Sequence, residues 1–313
     1  MVVRPATALL QCLRRLRRGF AVVWLMLVCI APVLAHEIAV LSSRLQGPDR
    51  DVADALVASG TRHHLFFAGS AEGGVAPGAF KESSLVIALG VAAAEAALQK
   101  SERPVLVGLV TVNEFDRLRA AAPRARLSAL FIDQPPERHL ALLRAALPDA
   151  DCAGLLLGPE SHGARARFEK LQSRLSPQIR IEFAASARDV LPALERLLGR
   201  CPAVLTLPDS LIANPTVARA LLLTSYRMQR PLFAYSRGWV EAGALAAVFS
   251  TPATATRDLL DWLDALQDPF SLPPPRMPRH FDLAVNARVA RALNLPVPDE
   301  DTLRAALSAG RNP

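Results

Sequence analysis

The sequence predicts an α/β protein made of two doubly wound parallel-sheet lobes joined by a hinge. First, short apolar runs alternate with amphipathic stretches from residue 36 onward. Second, runs such as Ala203–Leu207 are apolar on both faces, which is typical of parallel strands covered by helices on both sides. Third, the alternation occurs in two consecutive series, before and after Pro135-Pro136, and two such series predict two lobes.

The first series predicts an N-terminal lobe over residues 36–133. Its apolar runs predict five strands, and the amphipathic stretches between them predict three helices. The expected strands are Ile38–Ser42, His64–Ala68, Leu85–Gly90, Val105–Val110 and Leu127–Asp133, and the expected helices are Asp51–Ser59, Ala92–Lys100 and Asn113–Ala122.

The second series predicts a C-terminal lobe over residues 152–268. The apolar residues of Arg188–Leu198 recur at helical spacing on one face, which predicts an amphipathic helix. The expected strands are Gly154–Gly158, Ile179–Ala184, Ala203–Leu207, Leu232–Tyr235 and Leu245–Ser250. The other expected helices are His162–Leu175, Ile212–Met228 and Ala255–Leu266.

Two segments are expected to connect these lobes. Residues 134–151 begin with the proline pair and are interpreted as the crossing between lobes. Residues 269–313 begin with a Pro-rich connection, restrained by the five prolines of Pro269–Pro278, and continue as a closing strand and helix at Phe281–Asn286 and Ala287–Leu293.

Residues 1–35 predict a cleavable signal peptide, cut near Ala35-His36, and hence a periplasmic mature protein. This segment carries five arginines and no acid, followed by an apolar run from Phe20 to Leu34. A basic start, a short apolar core and a small-residue end are typical of an export signal, whereas a spanning helix needs about 20 apolar residues. The alternative is an uncleaved N-terminal anchor.

The charge of the whole chain is dominated by that segment. The formal charge is +7, from 36 basic and 29 acidic residues. Without the five arginines of residues 1–35, 31 basic residues face 29 acidic ones, which leaves about +2. Because no basic run interleaved with aromatic residues follows residue 35, the sequence gives no support for a nucleic-acid partner.

Cys152 and Cys201 predict a structural disulfide. Each lies seven residues before a proline that ends a predicted strand, Pro159 and Pro208. In a sheet ordered 2-1-3 the first and third strands are adjacent, so the two cysteines fall at matching heights on the amino edge. We expect this bond to stabilise the fold by about 3–4 kcal/mol.

The sequence contains no recognisable catalytic motif. It lacks the GxSxG, HExxH, Walker A and GxGxxG patterns. Only His63 and His64 are adjacent histidines, and neighbours on a strand point to opposite faces, so they cannot chelate one metal as a pair. We therefore expect no catalytic residue, no metal and no cofactor.

The candidate ligand site lies at the carboxyl ends of the strands, where open parallel sheets form their crevice. Asp209 is the strongest candidate, as the clear carboxylate of this edge and a possible partner of an ammonium group. Helix starts at Gly90 and Ser161 favour an anion through their free N–H groups. The candidate ligand-binding residues are Ser42, Ser43, Gly90, Val91, Thr111, Asn113, Ser161, Asp209, Tyr235 and Ser236.

Several segments resemble a family of ABC-transporter substrate-binding proteins with a type I periplasmic-binding fold. The segment FDLAVNARVARALNLPVP, Phe281–Pro298, is the most similar to the family's pattern. Weaker matches are Leu85–Ala94, Pro104–Thr111, Gln134–Pro148, Ala203–Ser210 and Glu241–Ser250. The resemblance implies periplasmic capture of a small solute, often an amino acid, for a membrane permease, by a protein that is usually monomeric.

The predicted function is therefore a non-enzymatic solute-binding protein. It would close on a small polar solute, possibly amino-acid-like, and deliver it to an ABC-type permease. One alternative is an accessory or sensory periplasmic protein of the same fold, partnered with a receptor or an outer-membrane transporter, with altered or lost solute binding. Another is a periplasmic enzyme whose catalytic residues are distant in sequence.

Overall fold

The structure is a computed structural model that describes residues 35–172 and 177–309. The predicted signal peptide lies outside the described residues except for Ala35. Within the described part of the chain, no helix combines the length and the apolar character needed to cross a membrane.

The first lobe is built on a six-stranded sheet. Its strands are β1 (Glu37–Ser42), β2 (His64–Ser70), β3 (Gly74–Val75), β4 (Leu85–Leu89), β5 (Val105–Val110) and β6 (Leu127–Phe131). Its helices in this stretch are α1 (Pro48–Val57), α2 (Val91–Lys100) and α3 (Val112–Ala121). The strand order is β3-β2-β1-β4-β5-β6, all parallel except the short antiparallel edge strand β3.

The first sheet is covered on both faces, as the apolar character of its strands predicts. Along β1, Ile38 and Val40 enter one apolar cluster, while Ala39 and Leu41 enter the cluster on the opposite face. Successive strand residues point to opposite faces, so a strand buried on both sides needs apolar residues at every position.

The second lobe repeats this layout. After α4 (Pro136–Ala146), its strands are β7 (Cys152–Leu157), β8 (Gln178–Phe183), β9 (Val204–Thr206), β10 (Leu232–Ala234), β11 (Ala246–Phe249) and β12 (Asp282–Val285). A 3₁₀ turn, His162–Ala164, leads into α5 (Arg165–Gln172), and α6 (Ala187–Leu198), α7 (Ser210–Ala213), α8 (Pro215–Arg227) and α9 (Arg237–Ala242) follow. The order is β12-β11-β10-β9-β7-β8, with only β12 antiparallel.

The remaining helices are α10 (Pro252–Asp264), α11 (Ala287–Ala292) and α12 (Glu300–Ala309). The position of α10 in the second series of strands and helices predicts that this helix belongs to the second lobe. Its apolar residues Leu259, Trp262 and Leu263 instead join the first-lobe cluster that contains Ile38 and Val40. The amphipathic pattern shows that α10 has a buried face, but both sheets offer an apolar surface that would satisfy it.

Helix α4 differs from its predicted role in a similar way. The sequence predicts this helix as part of the crossing 134–151, but Leu140, Leu142 and Leu143 belong to the core cluster of the second lobe. The segment that actually leaves the first sheet is therefore short, between Phe131 and Pro136.

Three short segments cross between the lobes: residues 132–135, 250–251 and 277–281. They are hydrogen-bonded to one another. The Gln134 Nε2 donates to Ser250 Oγ at 2.8 Å, and the Ser250 hydroxyl donates to the Ile132 carbonyl at 3.2 Å. Arg138, in the first turn of α4, links the first and third crossings by donating to Gln134 Oε1 and, at 3.2 Å, to the Pro278 carbonyl. These bonds make the three crossings one hinge layer between the sheets.

The predicted disulfide is confirmed. Cys152 and Cys201 are bonded, with their Cα atoms 5.0 Å apart. Strands β7 and β9 are neighbours, with Gly154 opposite Val204, so the two cysteines meet at the amino edge of the sheet. The prediction succeeded because the 2-1-3 strand order fixes which strands are adjacent.

Candidate ligand-binding cleft

The carboxyl edges of the two sheets form cavities between the lobes, where a doubly wound fold places its ligands. The larger, about 630 Å³, is lined by the start of α3 and by the turns that follow β7, β9 and β10. We call it the Arg167 pocket. Its lining includes Thr111, Asn113, Arg117, Asp133, Glu160, Ser161, Arg167, Asp209 and Tyr235.

A second cavity, about 560 Å³, lies over the ends of β1 and β4 and beside the second crossing. We call it the Ser43 pocket. Glu114 lines both cavities. The other residues of the Ser43 pocket include Ser43, Arg44, Asp49, Gly90, Val91, Leu109, Ser250 and Thr251.

The two first-lobe serines use their hydroxyls within the protein. The buried Ser42 donates to the Arg44 carbonyl at 2.7 Å. Ser43 donates to the Leu89 carbonyl at 2.9 Å and accepts from the Ala93 N–H at 3.1 Å. Ser43 thus ties the end of β1 to the end of β4 and to the first turn of α2.

Gly90 has a steric reason to be glycine. Its φ of +91° is in the region that L side chains rarely adopt, and a Cβ there would lie 2.4 Å from Ser43 Oγ. Gly90 therefore allows α2 to begin directly over the Ser43 hydroxyl, and both residues shape the wall of the Ser43 pocket.

Asp209 is a buried carboxylate that holds two turns together. Its Oδ2 accepts the N–H groups of Glu160 and Ser161, both at 2.9 Å, and the Ser161 hydroxyl at 3.0 Å. Its Oδ1 accepts the Leu211 N–H at 3.0 Å. Because four donors already occupy this carboxylate, the structure favours an architectural role over the predicted contact with a ligand ammonium group.

A close backbone approach makes this arrangement possible. A Cβ on Gly158 would lie 2.4 Å from Asp209 Oδ1, so only glycine leaves room for the carboxylate at the end of β7. The Ser161 hydroxyl also accepts the Gly158 N–H at 2.9 Å. Asp209 and Ser161 form one internally satisfied unit in the wall of the Arg167 pocket.

The other buried or half-buried acids of this pocket are engaged in the same manner. Glu114 accepts the Thr111 N–H at 2.7 Å in a capping box at the start of α3. Asp133 accepts the Val112 N–H at 2.7 Å, and Glu160 accepts the Ser210 N–H at 3.0 Å. Burial raises the pKa of Asp133 above its ordinary value, while the Val112 N–H and the charge of Arg167 act in the opposite direction.

Several polar side chains of the Arg167 pocket are not engaged by the described residues, among them Arg117, Arg167 and Tyr235. Among the described residues, Arg117 and Arg167 form no hydrogen bond or ion pair, and the two come from opposite lobes, on α3 and α5. The hydroxyl of Tyr235 is buried without a hydrogen-bond partner in the same part of the chain. Burial raises the pKa of Tyr235, while the neighbouring Trp239 side chain acts in the opposite direction, and the protonated hydroxyl can donate a hydrogen bond.

A small cavity of about 40 Å³ adjoins the Arg167 pocket. Asp133, Gln134, His139, Arg167 and Tyr235 contribute to its lining. This volume is enough for one or two water molecules. Burial, followed by the charge of Arg138, lowers the pKa of His139 to about 3, so this imidazole is neutral at neutral pH.

One cluster has the composition of a metal site. Ligand atoms of Asp258, Asp261 and His280 lie within 4.8 Å of one another. However, Asp258 accepts the N–H groups of Arg279 and His280, and the His280 ring pairs with Asp261 at 2.8 Å. These contacts fasten the third crossing to α10, which accounts for the cluster without a metal.

The structure brings half of the predicted site residues into the Arg167 pocket: Thr111, Asn113, Ser161, Asp209 and Tyr235. Ser43, Gly90 and Val91 line the Ser43 pocket, and Ser42 lines neither. Ser236 lies in a separate groove of about 690 Å³ between α8 and α9.

Sequence reasoning missed Arg117 and Arg167, as well as the inter-lobe placement of Asp133. A signal for Arg117 was present, because it follows Asn113 by four residues and so lies on the same face of α3. Arg167 lies beyond a 3₁₀ turn, six residues after Ser161, and its direction could not be read from helical spacing.

No family model matches the chain, and no curated protein matches it in sequence. Solved structures do match. A conserved domain protein from Vibrio cholerae O1 biovar El Tor is 17% identical, with a TM-score of 0.56, over 88% of this chain and 98% of its own. A ligand-free, open substrate-binding protein with adhesive properties from Clostridium difficile is 16% identical, with a TM-score of 0.62, over 86% and 98%.

A third match is the ABC domain of Streptococcus pneumonia in complex with L-Trp. It is 14% identical, with a TM-score of 0.54, over 87% of this chain and 98% of that one. At such identities the likeness establishes the fold. The chain has the two-lobed α/β fold of type I periplasmic-binding proteins, which confirms at the level of fold the resemblance found in the sequence.

Proposed function

We propose that this chain is an exported binding protein whose lobes close on a small polar solute and deliver it to an ABC-type membrane permease. The observation that carries the proposal is the Arg167 pocket, which is lined from both lobes and contains hydrogen-bond donors that no group in residues 35–172 and 177–309 uses. Its volume of about 630 Å³ is that of a small-molecule site. A solute that contacts both lobes would favour closure about the three crossings.

The first experiment is a thermal-shift screen of the chain from His36 onward against small polar solutes. A ligand at 100 times its Kd stabilises the folded state by about 2.7 kcal/mol, which such a screen detects. Small-angle scattering of any hit should show a smaller radius of gyration with ligand, because closure brings the lobes together. A ligand that binds without compaction would contradict the hinge mechanism.

A matched pair of variants assigns the site. Tyr235→Phe removes one buried hydroxyl that has no partner within the described residues, so affinity for the hit should fall about fivefold to tenfold. Tyr226→Phe is the control, because Tyr226 is exposed on α8 and lies outside the Arg167 pocket. Equal affinities of the two variants would place the ligand elsewhere.

Export, delivery and oligomeric state need separate measurements. Cell fractionation with N-terminal sequencing should find the chain in the periplasm beginning at His36. Solute uptake should fall in cells that lack the chain if it serves a permease. Light scattering of the purified protein should give the mass of a monomer.

An accessory protein of the same fold is the second candidate. The groove between α8 and α9 exposes apolar surface, and Leu223 and Tyr226 are about half exposed there. No acid occurs between Asp209 and Glu241, whereas four arginines do, which favours a partner with an acidic surface. If no solute shifts the melting temperature across a broad panel, this candidate is preferred over solute capture.

A further inference from the structure

The proposed function does not specify the chemical class of the solute. The charged side chains of the Arg167 pocket reduce the number of classes that fit. We infer that the pocket takes an acidic solute, with a carboxylate or phosphate group held between Arg117 of the first lobe and Arg167 of the second. This inference rests on the proposed function. It replaces the sequence-based idea that Asp209 would bind an ammonium group.

The sum of formal charges in the pocket lining does not by itself determine which charge class of solute the pocket binds. Acids outnumber the two arginines in its lining. Four of them, however, accept backbone N–H groups at the starts of α3 and α7: Glu114, Asp133, Glu160 and Asp209. Backbone N–H groups at a helix start carry partial positive charge, so each of these carboxylates is compensated locally.

The fifth acid, Asp116, is compensated by a side chain. It pairs with Arg119 at 2.8 Å on the exposed surface of α3. The arginines of the lining, Arg117 and Arg167, have no carboxylate within ion-pair distance among the described residues. What the pocket lacks is therefore an acceptor with negative charge, and an anionic solute supplies it.

Asp133 is the one acid that competes for Arg167. The positive charge of Arg167 acts on Asp133 across the pocket, but the two side chains form no ion pair. One Asp133 oxygen is held by the Val112 N–H, which fixes the carboxylate against the start of α3. Arg167 thus keeps its donors available to a planar carboxylate or a phosphate, which guanidinium groups bind in pairs of hydrogen bonds.

The placement on opposite lobes couples recognition to closure. Arg117 lies on α3 of the first lobe and Arg167 on α5 of the second, and Tyr235 adds a donor at the end of β10. An anion that satisfies both arginines must contact both lobes, so it stabilises the closed arrangement more than the open one. A neutral solute gains much less from that geometry.

The test begins with a panel of four charge classes against the chain from His36 onward: dicarboxylates, phosphate esters, neutral sugars and diamines. Dicarboxylates or phosphate esters should raise the melting temperature, and the two anion types are distinguished by which of them does so. The affinity should weaken as salt rises from 0.05 to about 1 M, because salt screens charge interactions at exposed sites. Sugars or diamines should give no shift.

The variants Arg117→Gln and Arg167→Gln should each weaken binding of the anionic hit about tenfold or more, because each removes a charge-assisted hydrogen bond. Their melting temperatures without ligand should stay near that of the unaltered protein, since neither arginine has a partner among the described residues. Arg124→Gln is the control, because Arg124 is exposed, lines neither pocket and forms no ion pair among the described residues, so the affinity should change less than about twofold.

The outcomes separate the inference from the proposed function. If a sugar or a diamine binds with lobe closure, or an anion binds equally to Arg117→Gln and Arg167→Gln, the acidic-solute inference is overturned while solute capture stands. If no class of solute shifts the protein, solute capture fails and the inference fails with it.

Discussion

The two cavities between the lobes differ in how their polar groups are used. In the Ser43 pocket, the Ser43 hydroxyl is hydrogen-bonded to the end of β4 and to the first turn of α2, and the Ser250 hydroxyl is hydrogen-bonded to the first crossing. In the Arg167 pocket, Arg117, Arg167 and the Tyr235 hydroxyl have no partner among the described residues. Both pockets lie at strand ends. The arginine of the Ser43 pocket, Arg44, is paired with Asp49 at 3.5 Å, whereas Arg117 and Arg167 of the second pocket form no ion pair among the described residues.

This difference teaches that a strand end predicts where a ligand site lies, not which side chains are available there. Strands and helices end with unpaired N–H and C=O groups, and nearby Ser, Thr, Asp and Glu side chains satisfy them first. Long side chains such as arginine extend beyond the backbone they leave, so they are more often free to meet a ligand.

The largest expected effect concerns Asp209. It lines the Arg167 pocket, but its side chain is hydrogen-bonded within the protein, as the Ser43 hydroxyl is. Asp209→Ala should lower the free energy of unfolding by about 3 kcal/mol, because it leaves buried backbone and hydroxyl donors without their acceptor. Urea denaturation monitored by circular dichroism measures the change. Asp116→Ala, on the exposed surface of α3, is the control and should change stability by less than about 0.5 kcal/mol.

If Asp209→Ala melts normally and loses only ligand affinity, the comparison between the pockets breaks. Asp209 would then be a ligand-binding residue, as the sequence alone predicted, rather than a carboxylate that fastens the turns after β7 and β9.

The next effect depends on pH and concerns His139, which lines the small cavity beside the Arg167 pocket. The pKa of His139 is about 3 in the folded protein, below the ordinary value of about 6.5, so the unfolded state binds this proton first as pH falls. Stability is therefore fully present above pH 6.5 and is lost toward pH 3, by up to about 1.4 kcal/mol per pH unit.

Denaturation curves at pH 7 and pH 5 measure this loss. His139→Gln should reduce the difference between them by roughly 2 kcal/mol, because glutamine does not titrate. His162→Gln is the control, since His162 is exposed. An unchanged pH dependence in His139→Gln would mean that the imidazole is protonated in the folded state.

The fold could be predicted almost entirely from the sequence, because it depends on local patterns. Runs apolar at every position identified the buried parallel strands, and the 2-1-3 order placed Cys152 beside Cys201. The position of α10 could not be predicted, since Leu259 and Trp262 fit the apolar surface of either sheet. Amphipathic periodicity predicts which face of a helix is buried, but it does not predict which sheet that face packs against.

The sequence predicts candidate site residues at strand ends, but it does not predict which of their polar groups the folded chain already uses. Residue type alone made Asp209 the best candidate, yet Glu160, Ser161 and Leu211 occupy its carboxylate in the folded chain. Whether the Arg117 guanidinium is available to a solute depends on whether an acidic side chain lies within ion-pair distance, and tertiary packing determines that. Local sequence does not show whether an arginine will lack an ion-pair partner in the folded chain.

One glycine in each pocket allows us to compare how strongly the backbone of the two pocket walls is constrained. Gly90→Ala should destabilise the protein by about 1–2 kcal/mol, because its φ of +91° disfavours a Cβ and Ser43 Oγ would lie 2.4 Å away. Gly163→Ala, in the Arg167 pocket, places its Cβ in open space and should be nearly neutral. Thermal denaturation of both variants is the measurement. Equal effects would show that the wall of the Ser43 pocket is not constrained at Gly90.

The smallest expected effect separates the pockets most directly. Ser43→Ala removes a hydroxyl that donates to Leu89 and accepts from Ala93, so stability should fall by about 1 kcal/mol while affinity for the solute stays within about twofold. Tyr235→Phe should do the reverse, because its hydroxyl supports no described part of the fold and is free to meet the solute. Calorimetric titration and urea denaturation of both variants give the four values.

This crossed result cannot arise from a general loosening of the protein, which would move stability and affinity together in both variants. If Ser43→Ala weakens binding by about tenfold or more, the Ser43 hydroxyl must exchange its internal partners for the solute when the lobes close. The difference between the two pockets would then apply only to the protein without solute, and the solute would extend across Glu114 into both.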